Sequence, residues 1–156
     1  MSASVAVRAG DGADHAFVRD LGRRSATTSL SPLRAARHDD VLNAFDRLVE
    51  FVYGRHHALL IADDDGERVG FLLMLFDVPD EVTLTEQAFV AYMAVEPFAR
   101  ERGVGHALLD AAQAHATAHG LRFVSLMVTD DNAPARALYE SAGFVTERRM
   151  LTKILR

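Results

Sequence analysis

The segment Ala88–Gly120 leaves this chain the least conformational freedom. It opens with an apolar run, Ala88–Val95, that reads as a strand. A basic turn follows, Arg100-Glu101-Arg102-Gly103-Val104-Gly105-His106, and then a helix that runs to His119 and stops at Gly120. A strand that enters a helix through glycines is suited to hold an anion. Gly103 and Gly105 lack β-carbons, so a ligand can approach the backbone there. The first helical N–H groups have no intrahelical partner and carry the positive end of the helix dipole. Together they can cradle phosphate oxygens. Arg100 and Arg102 would add full charges, while His106 would contribute its backbone more than its ring. The same glycines would also serve close packing, a reading that needs no ligand. No Gly-Lys-Ser/Thr follows, and Leu108 stands where a dinucleotide fingerprint needs its third glycine. Any ligand is therefore a phosphate carrier of another kind.

The remaining pattern fits one domain, residues 1–156. Val5 and Val7 alternate in a first strand, Ser4–Arg8, and Phe17, Val18 and Leu21 mark a first helix. Ser31 before Pro32 reads as a helix cap. The helix behind it carries Val41, Leu42, Phe45, Leu48, Val49 and Val52 at three- and four-residue spacing and ends at Gly54. Ala58–Ala62 is a second strand. Asp63-Asp64-Asp65-Gly66 is read as a hairpin turn, because no glutamate follows at the spacing of a calcium loop. Val69–Phe76 is apolar at almost every position, as in a strand covered on both faces. A fourth strand is expected over Val82–Val95, a fifth over Phe123–Val128 and a last over Phe144–Ile154. Asn132 should cap a short helix with Pro134 in its first turn. The order β-α-α-β-β-β-α-β-α-β predicts an α/β fold, a mixed sheet with helices on both faces.

Composition narrows the function classes. A net charge of −5 without a basic stripe argues against nucleic acid as partner. No apolar run reaches membrane-spanning length and no leader begins at Met1, so the expectation is a cytoplasmic protein. The chain has no cysteine, hence neither disulfides nor a thiol nucleophile. Its seven histidines form no metal set. His56 and His57 are adjacent and should point to opposite faces, and His115 and His119 lack an evident third ligand.

Two motifs in order give a resemblance. Ala94-Val95-Glu96-Pro97 with Arg100-x-x-Gly103-x-Gly105, then Asn132-x-x-Ala135-x-x-Leu138-Tyr139-Glu140-x-x-Gly143-Phe144, resemble the GNAT superfamily of acyl-CoA-dependent N-acetyltransferases. The strong match covers about Val90–Phe144. The resemblance implies a central sheet whose fourth and fifth strands start parallel and then splay. The pantetheine arm of acetyl-CoA would lie in that gap, against the backbone of Met93, Ala94 and Val95. It also implies two strands after Gly143-Phe144. Little chain remains there, so the second strand would be tiny, absent or supplied by a partner chain in a homodimer.

Acetyl transfer to an amine requires a held cofactor, a stabilised thioester oxygen, a neutral amine and a proton for the leaving thiolate. The turn Arg100–His106 would serve the first, together with Asn132 and Ala135. A backbone N–H near Ala94 would serve the second. Tyr139 fits the proton donor, since a phenol with a pKa of about 10 is protonated at neutral pH. Read without the resemblance, it is a core tyrosine. An acceptor amine with a pKa near 10.4 is neutral in about 1 molecule in 2,500 at pH 7, a cost of about 4.6 kcal/mol. The family's usual basic glutamates have no counterpart, for Phe89 and Met127 occupy those positions. Glu86 or a chain of water remains. Asp77, Asp80, Glu81 and Glu86 suggest an acidic rim that draws in a cationic small-molecule or peptide amine. The alternatives are a CoA-binding regulatory module without turnover, and a domain for an unrelated nucleotide.

Overall fold

The computed structural model describes residues 5–156; Ser4, included in the expected first strand, lies outside them. The elements are β1 (Val5–Ala9), α1 (His15–Ser25), α2 (His38–Tyr53), β2 (His57–Asp64), β3 (Glu67–Leu75), β4 (Ala88–Val95), α3 (Val104–Ala118), β5 (Val124–Leu126) and α4 (Ala133–Ser141). The sheet runs β1-β2-β3-β4-β5 in space. Its first four strands pair antiparallel, and β5 joins β4 in parallel. The predicted mixed sheet with helices on both faces is present.

The apolar run of β3 explains the layering. Phe71, Leu73 and Leu75 face one core, where Val18 and Leu21 of α1 and Phe45, Val49 and Val52 of α2 pack. Leu72 and Met74 face the other, filled by Val104, Leu108, Leu109 and Ala112 of α3. Strand alternation thus divides one sequence between two cores. The helix pair α1/α2 approaches so closely at Gly22 that a β-carbon there would lie 1.8 Å from Phe45 Cζ. The β2–β3 hairpin turns on Asp65 and Gly66, at φ values of 52° and 80°, the left-handed pair that a two-residue loop requires.

Four sequence expectations are corrected. Residues 144–156 form no strand, and from Val145 onward every side chain is exposed. β4 begins at Ala88 rather than Val82. Asp80 holds residues 80–85 in a turn, accepting hydrogen bonds from the Val82 and Thr83 N–H groups, and Leu84 takes a positive φ of 57°. β5 is shorter than Phe123–Val128. Finally, Ser31 accepts only from the Leu33 N–H in a local turn, and α2 starts further on, at His38.

Candidate active site

The decisive feature is an irregularity in β4. Val95, Ala94, Met93 and Tyr92 pair with Gly70, Phe71, Leu72 and Leu73, but the next partner of Met74 is Val90. Ala91 is therefore an inserted residue, a β-bulge, and such insertions bend a strand. The packing shows the shift. Ala88 and Val90 face the α3 core, Ala91 and Tyr92 both face the α1/α2 core, and Met93 and Val95 face α3 again.

The gap follows from this bend. β5 pairs only with Ala88, Phe89 and Val90. Beyond the bulge, β4 keeps β3 on one side, and among the described residues no strand pairs with it on the other. The Glu96 N–H donates to Val69 O on β3, at 2.8 Å. Amide direction alternates along a strand, so the Ala94 N–H also faces β3, while Met93 and Val95 present theirs to the gap. The register thus moves the free donors from Ala94 to its two neighbours. On the far side, the chain leaving β5 is pinned to the α1–α2 connection, where the Thr129 hydroxyl donates to Ser29 O at 2.7 Å.

The basic turn stands at the end of the gap. Gly103 caps α3 with φ 79° and no side-chain cap, and Glu101 also takes a positive φ of 64°. The first capped backbone bond is from the Ala107 N–H to Gly103 O, leaving the Val104, Gly105 and His106 amides without helical partners. A β-carbon on Gly103 would meet nothing within 4 Å, so this face is open to a ligand. Gly105 differs. Its β-carbon would lie 2.8 Å from Leu138 Cδ2, so this glycine admits α4 to α3. Arg102 leans on the buried Asp64, at 3.7 Å. Arg100 is exposed.

α4 brings the second motif to the gap. The Asn132 side chain accepts from the Ala135 N–H at 3.3 Å, as a cap should. The Ser141 hydroxyl gives its one proton to Leu138 O, at 2.7 Å. Ser141 Oγ therefore accepts from His106 Nε2, 2.9 Å away. The His106 ring thus has a role the sequence did not suggest, tying α4 to the first turn of α3. Tyr139 packs edge-on to Phe144 with ring centres 5.8 Å apart. Burial, then the neighbouring Tyr92 phenol, push its hydroxyl above the usual phenol pKa. It stays protonated at neutral pH, as a donor must.

On the opposite face lies a cavity of about 680 Å³, lined by Ala26, Ser29, Leu30, Arg34, Phe45 and Tyr92, with Asp40 at its rim. The hydroxyl of Tyr92, one of its lining residues, is 2.9 Å from Ser25 Oγ. Sequence alternation could not single out Tyr92, because the bulge beside it breaks the alternation. A second missed contact is the Arg24 fork on the buried Glu96, at 2.6 and 3.0 Å, which fixes α1 to the end of β4.

Some expected residues stay apart. Glu86 is exposed on the loop before β4. The six residues Gln87–Tyr92, at roughly 3.3 Å each, separate it from Met93, the nearer of the gap amides. The acidic rim is largely neutralised: Asp77 meets Arg55 at 2.9 Å and Asp80 meets Arg148 at 2.6 Å, with Glu81 3.9 Å from the same arginine. His56 tilts against Phe76 and His57 against Tyr53, on opposite faces. Among the described residues no group of three ligating side chains is placed to hold a metal ion, and no helix is long and apolar enough to cross a membrane.

A parallel strand pair that parts at a bulge, with a glycine-led helix start at one end and a half-buried tyrosine beside it, is the arrangement of the acetyltransferase class of fold. The sequence matches the acetyltransferase (GNAT) family over residues 24–144, and the chain belongs to that family. It is 40% identical over 86 residues to a mycothiol acetyltransferase of Beutenbergia cavernae, covering 55% of this chain and 28% of that protein. The chain thus spans under a third of that relative's length. In fold it is similar to a putative acetyl transferase from Pyrococcus furiosus, with a TM-score of 0.83 at 21% identity over 97% of this chain and all of the other. It is also similar to the aminoglycoside N-acetyltransferase AAC(6')-Iy bound to a CoA-containing bisubstrate analogue, with a TM-score of 0.69 at 22% identity, covering 98% and 99% of the two chains.

Proposed function

We propose that this chain moves an acetyl group from acetyl-CoA to a primary amine, by direct transfer while both are bound. The observation that carries this reading is the stretch of β4 beyond the Ala91 bulge, unpaired toward β5 between two differently built sides. The α3/α4 side offers phosphate-binding amides and Tyr139. The α1/α2 side offers the cavity under Tyr92. Acetyl-CoA would supply an activated acyl thioester. The Val104–His106 amides, with Arg100, would hold its phosphates. The Met93 and Val95 amides would receive the pantetheine arm and stabilise charge on the thioester oxygen. Tyr139 would protonate the departing thiolate.

The acceptor amine would arrive through the cavity lined by Arg34 and Tyr92. The named substrates of relatives support a small-molecule acceptor, and the bisubstrate analogue of the aminoglycoside enzyme supports transfer without an acyl-enzyme stage. Phe89 and Met127 supply no carboxylate, and Glu86 stands at the other end of β4, so we assign proton removal from the amine to water in the gap. The reaction is assigned to the cytoplasm. The lack of a carboxylate base also favours a second reading, a CoA-binding module without turnover.

Thiol release from acetyl-CoA, measured across a broad amine panel, separates the two. Amine-dependent release that rises with pH toward the amine pKa is expected. Tight acetyl-CoA binding without release for any amine would leave only the binding module.

A further inference from the structure

The cavity under Tyr92 has a lining that selects among amines. Most of its wall is apolar, with Ala26, Leu30, Leu33, Val41 and Phe45 among the lining residues. Leu30 and Leu33 remain exposed to water, Leu33 at 53%. A ligand with an apolar body would remove that surface from water. The cavity also adjoins the gap. Tyr92 precedes Met93, whose amide faces the gap, and Ser29 O accepts from Thr129 on the chain leaving β5.

Charge narrows the choice further. Two charged side chains line the cavity, Arg34 and Asp40. Among the described residues neither forms an ion pair, with the other or with any third group. The arginines of α1 are engaged instead: Arg19 and Arg23 meet Asp46, and Arg24 meets Asp20 and Glu96. Arg34 is thus a guanidinium fork open to a carboxylate. Asp40 offers the opposite charge to the same ligand. A polycation would set like charge against Arg34, and the loop before β4 would not draw it in, since Asp77 and Asp80 are paired with Arg55 and Arg148. A molecule that carries one ammonium and one carboxylate satisfies both side chains. Asp40 attracts the ammonium form and has no charge to hold in the neutral amine, the form that attacks.

We infer that the cavity takes an apolar α-amino acid as the acceptor, with Arg34 holding its carboxylate. This deepens the acetyl-transfer reading and rests on it. The amine nitrogen bonds the acetyl carbon as the carbon–sulfur bond breaks. The thiolate takes the Tyr139 proton, and the proton lost from nitrogen returns to Tyr139 through water.

Thiol release with phenylalanine and leucine, their amides, 2-phenylethylamine and spermidine tests the assignment. The amides have the less basic amines and hence the larger neutral fraction at neutral pH, so a preference for the acids reports recognition. The highest kcat/KM is expected for a free amino acid. Arg34→Gln should lower the ratio of acid to amide by about 10–100-fold, the effect of losing a hydrogen bond to a charged group. Arg34→Lys should recover part of it. Arg37→Gln removes an exposed cation that does not line the cavity and should move the ratio far less. Calorimetry gives a readout independent of turnover: the amino acid should bind the CoA-loaded protein, and Arg34→Gln should weaken that binding. Such binding supports the cavity's assignment even if no amine releases thiol, an outcome that would overturn the transfer reading alone. Release that is fastest with spermidine, amides that match the acids, or a ratio unmoved by Arg34→Gln would overturn the inference and leave acetyl transfer standing.

Discussion

Gly105 of the first motif and Leu138 of the second touch so closely that a β-carbon on Gly105 would stand 2.8 Å from Leu138 Cδ2. The glycine that the sequence offers to a phosphate is thus also the seat of α4. Gly105→Ala should cost about 1–3 kcal/mol by overpacking and weaken acetyl-CoA binding by tilting Asn132 and Tyr139 away. Leu138→Ala in the same chain should restore much of both, a coupling of about 1–2 kcal/mol in a double-mutant cycle. Urea melts and acetyl-CoA titrations measure it. If the double variant regains stability but no affinity, Gly105 acts through the phosphates instead.

Tyr139→Phe removes the proposed proton donor and little else, because the ring still packs against Phe144. Turnover should fall by about 10²–10⁴, the usual share of a general acid. Acetyl-CoA affinity should change by no more than a few-fold. Unchanged turnover in a folded variant would make Tyr139 a packing residue and give the protonation to water.

Tyr92 tests the other side of the gap. Tyr92→Phe breaks the hydroxyl contact with Ser25, worth about 1 kcal/mol, and changes the lining of the proposed acceptor cavity. The expected result is a raised KM for the amine with acetyl-CoA binding intact. An equal effect on both substrates would show that the cavity does not belong to the acceptor alone.

Asp14 gives the stability a sign in pH. It is 1% exposed and accepts from Arg8 at 2.9 Å and from Arg68 at 2.7 Å. Its hydrogen bond with Arg8 is the main cause that holds its carboxyl well below the ordinary carboxylate range. Because the folded-state pKa is lowered, the stabilisation is complete above the unfolded value of about 3.9. It is lost as pH falls through the folded value. Asp14→Asn should therefore cost about 2–3 kcal/mol at neutral pH. The gap between the two proteins should narrow progressively as melts are carried out further below about pH 4.

The parts legible in the sequence are those governed by local rules. Strand β3 announced itself by an unbroken apolar run, the Asp65-Gly66 turn by its left-handed pair, and α4 by Asn132 and Pro134. The motif residues came together because a short α3–β5–α4 connection leaves them few alternatives. What stayed hidden depends on distant partners. Residues 82–87 look like strand until Asp80 draws their amides into a turn. The acidic loop looks charged until Arg55 and Arg148 arrive from elsewhere in the chain. Tyr92 gave no signal, because a bulge cannot be read from a strand in which neither neighbour of Ala91 is a glycine or proline.

The Ala91 insertion also works as a change of parity. Even-numbered side chains of β4 look toward α3 up to Val90, and odd-numbered ones do so from Met93 onward. The backbone donors change hands at the same place. The same residues paired in strict alternation, without the bulge, would keep a single phase from Phe89 to Val95. The Met93 and Val95 amides would then turn inward to β3, and Tyr92 would swing to the side of α3. The two substrates of a transferase would then meet the wrong surfaces of a more regular sheet.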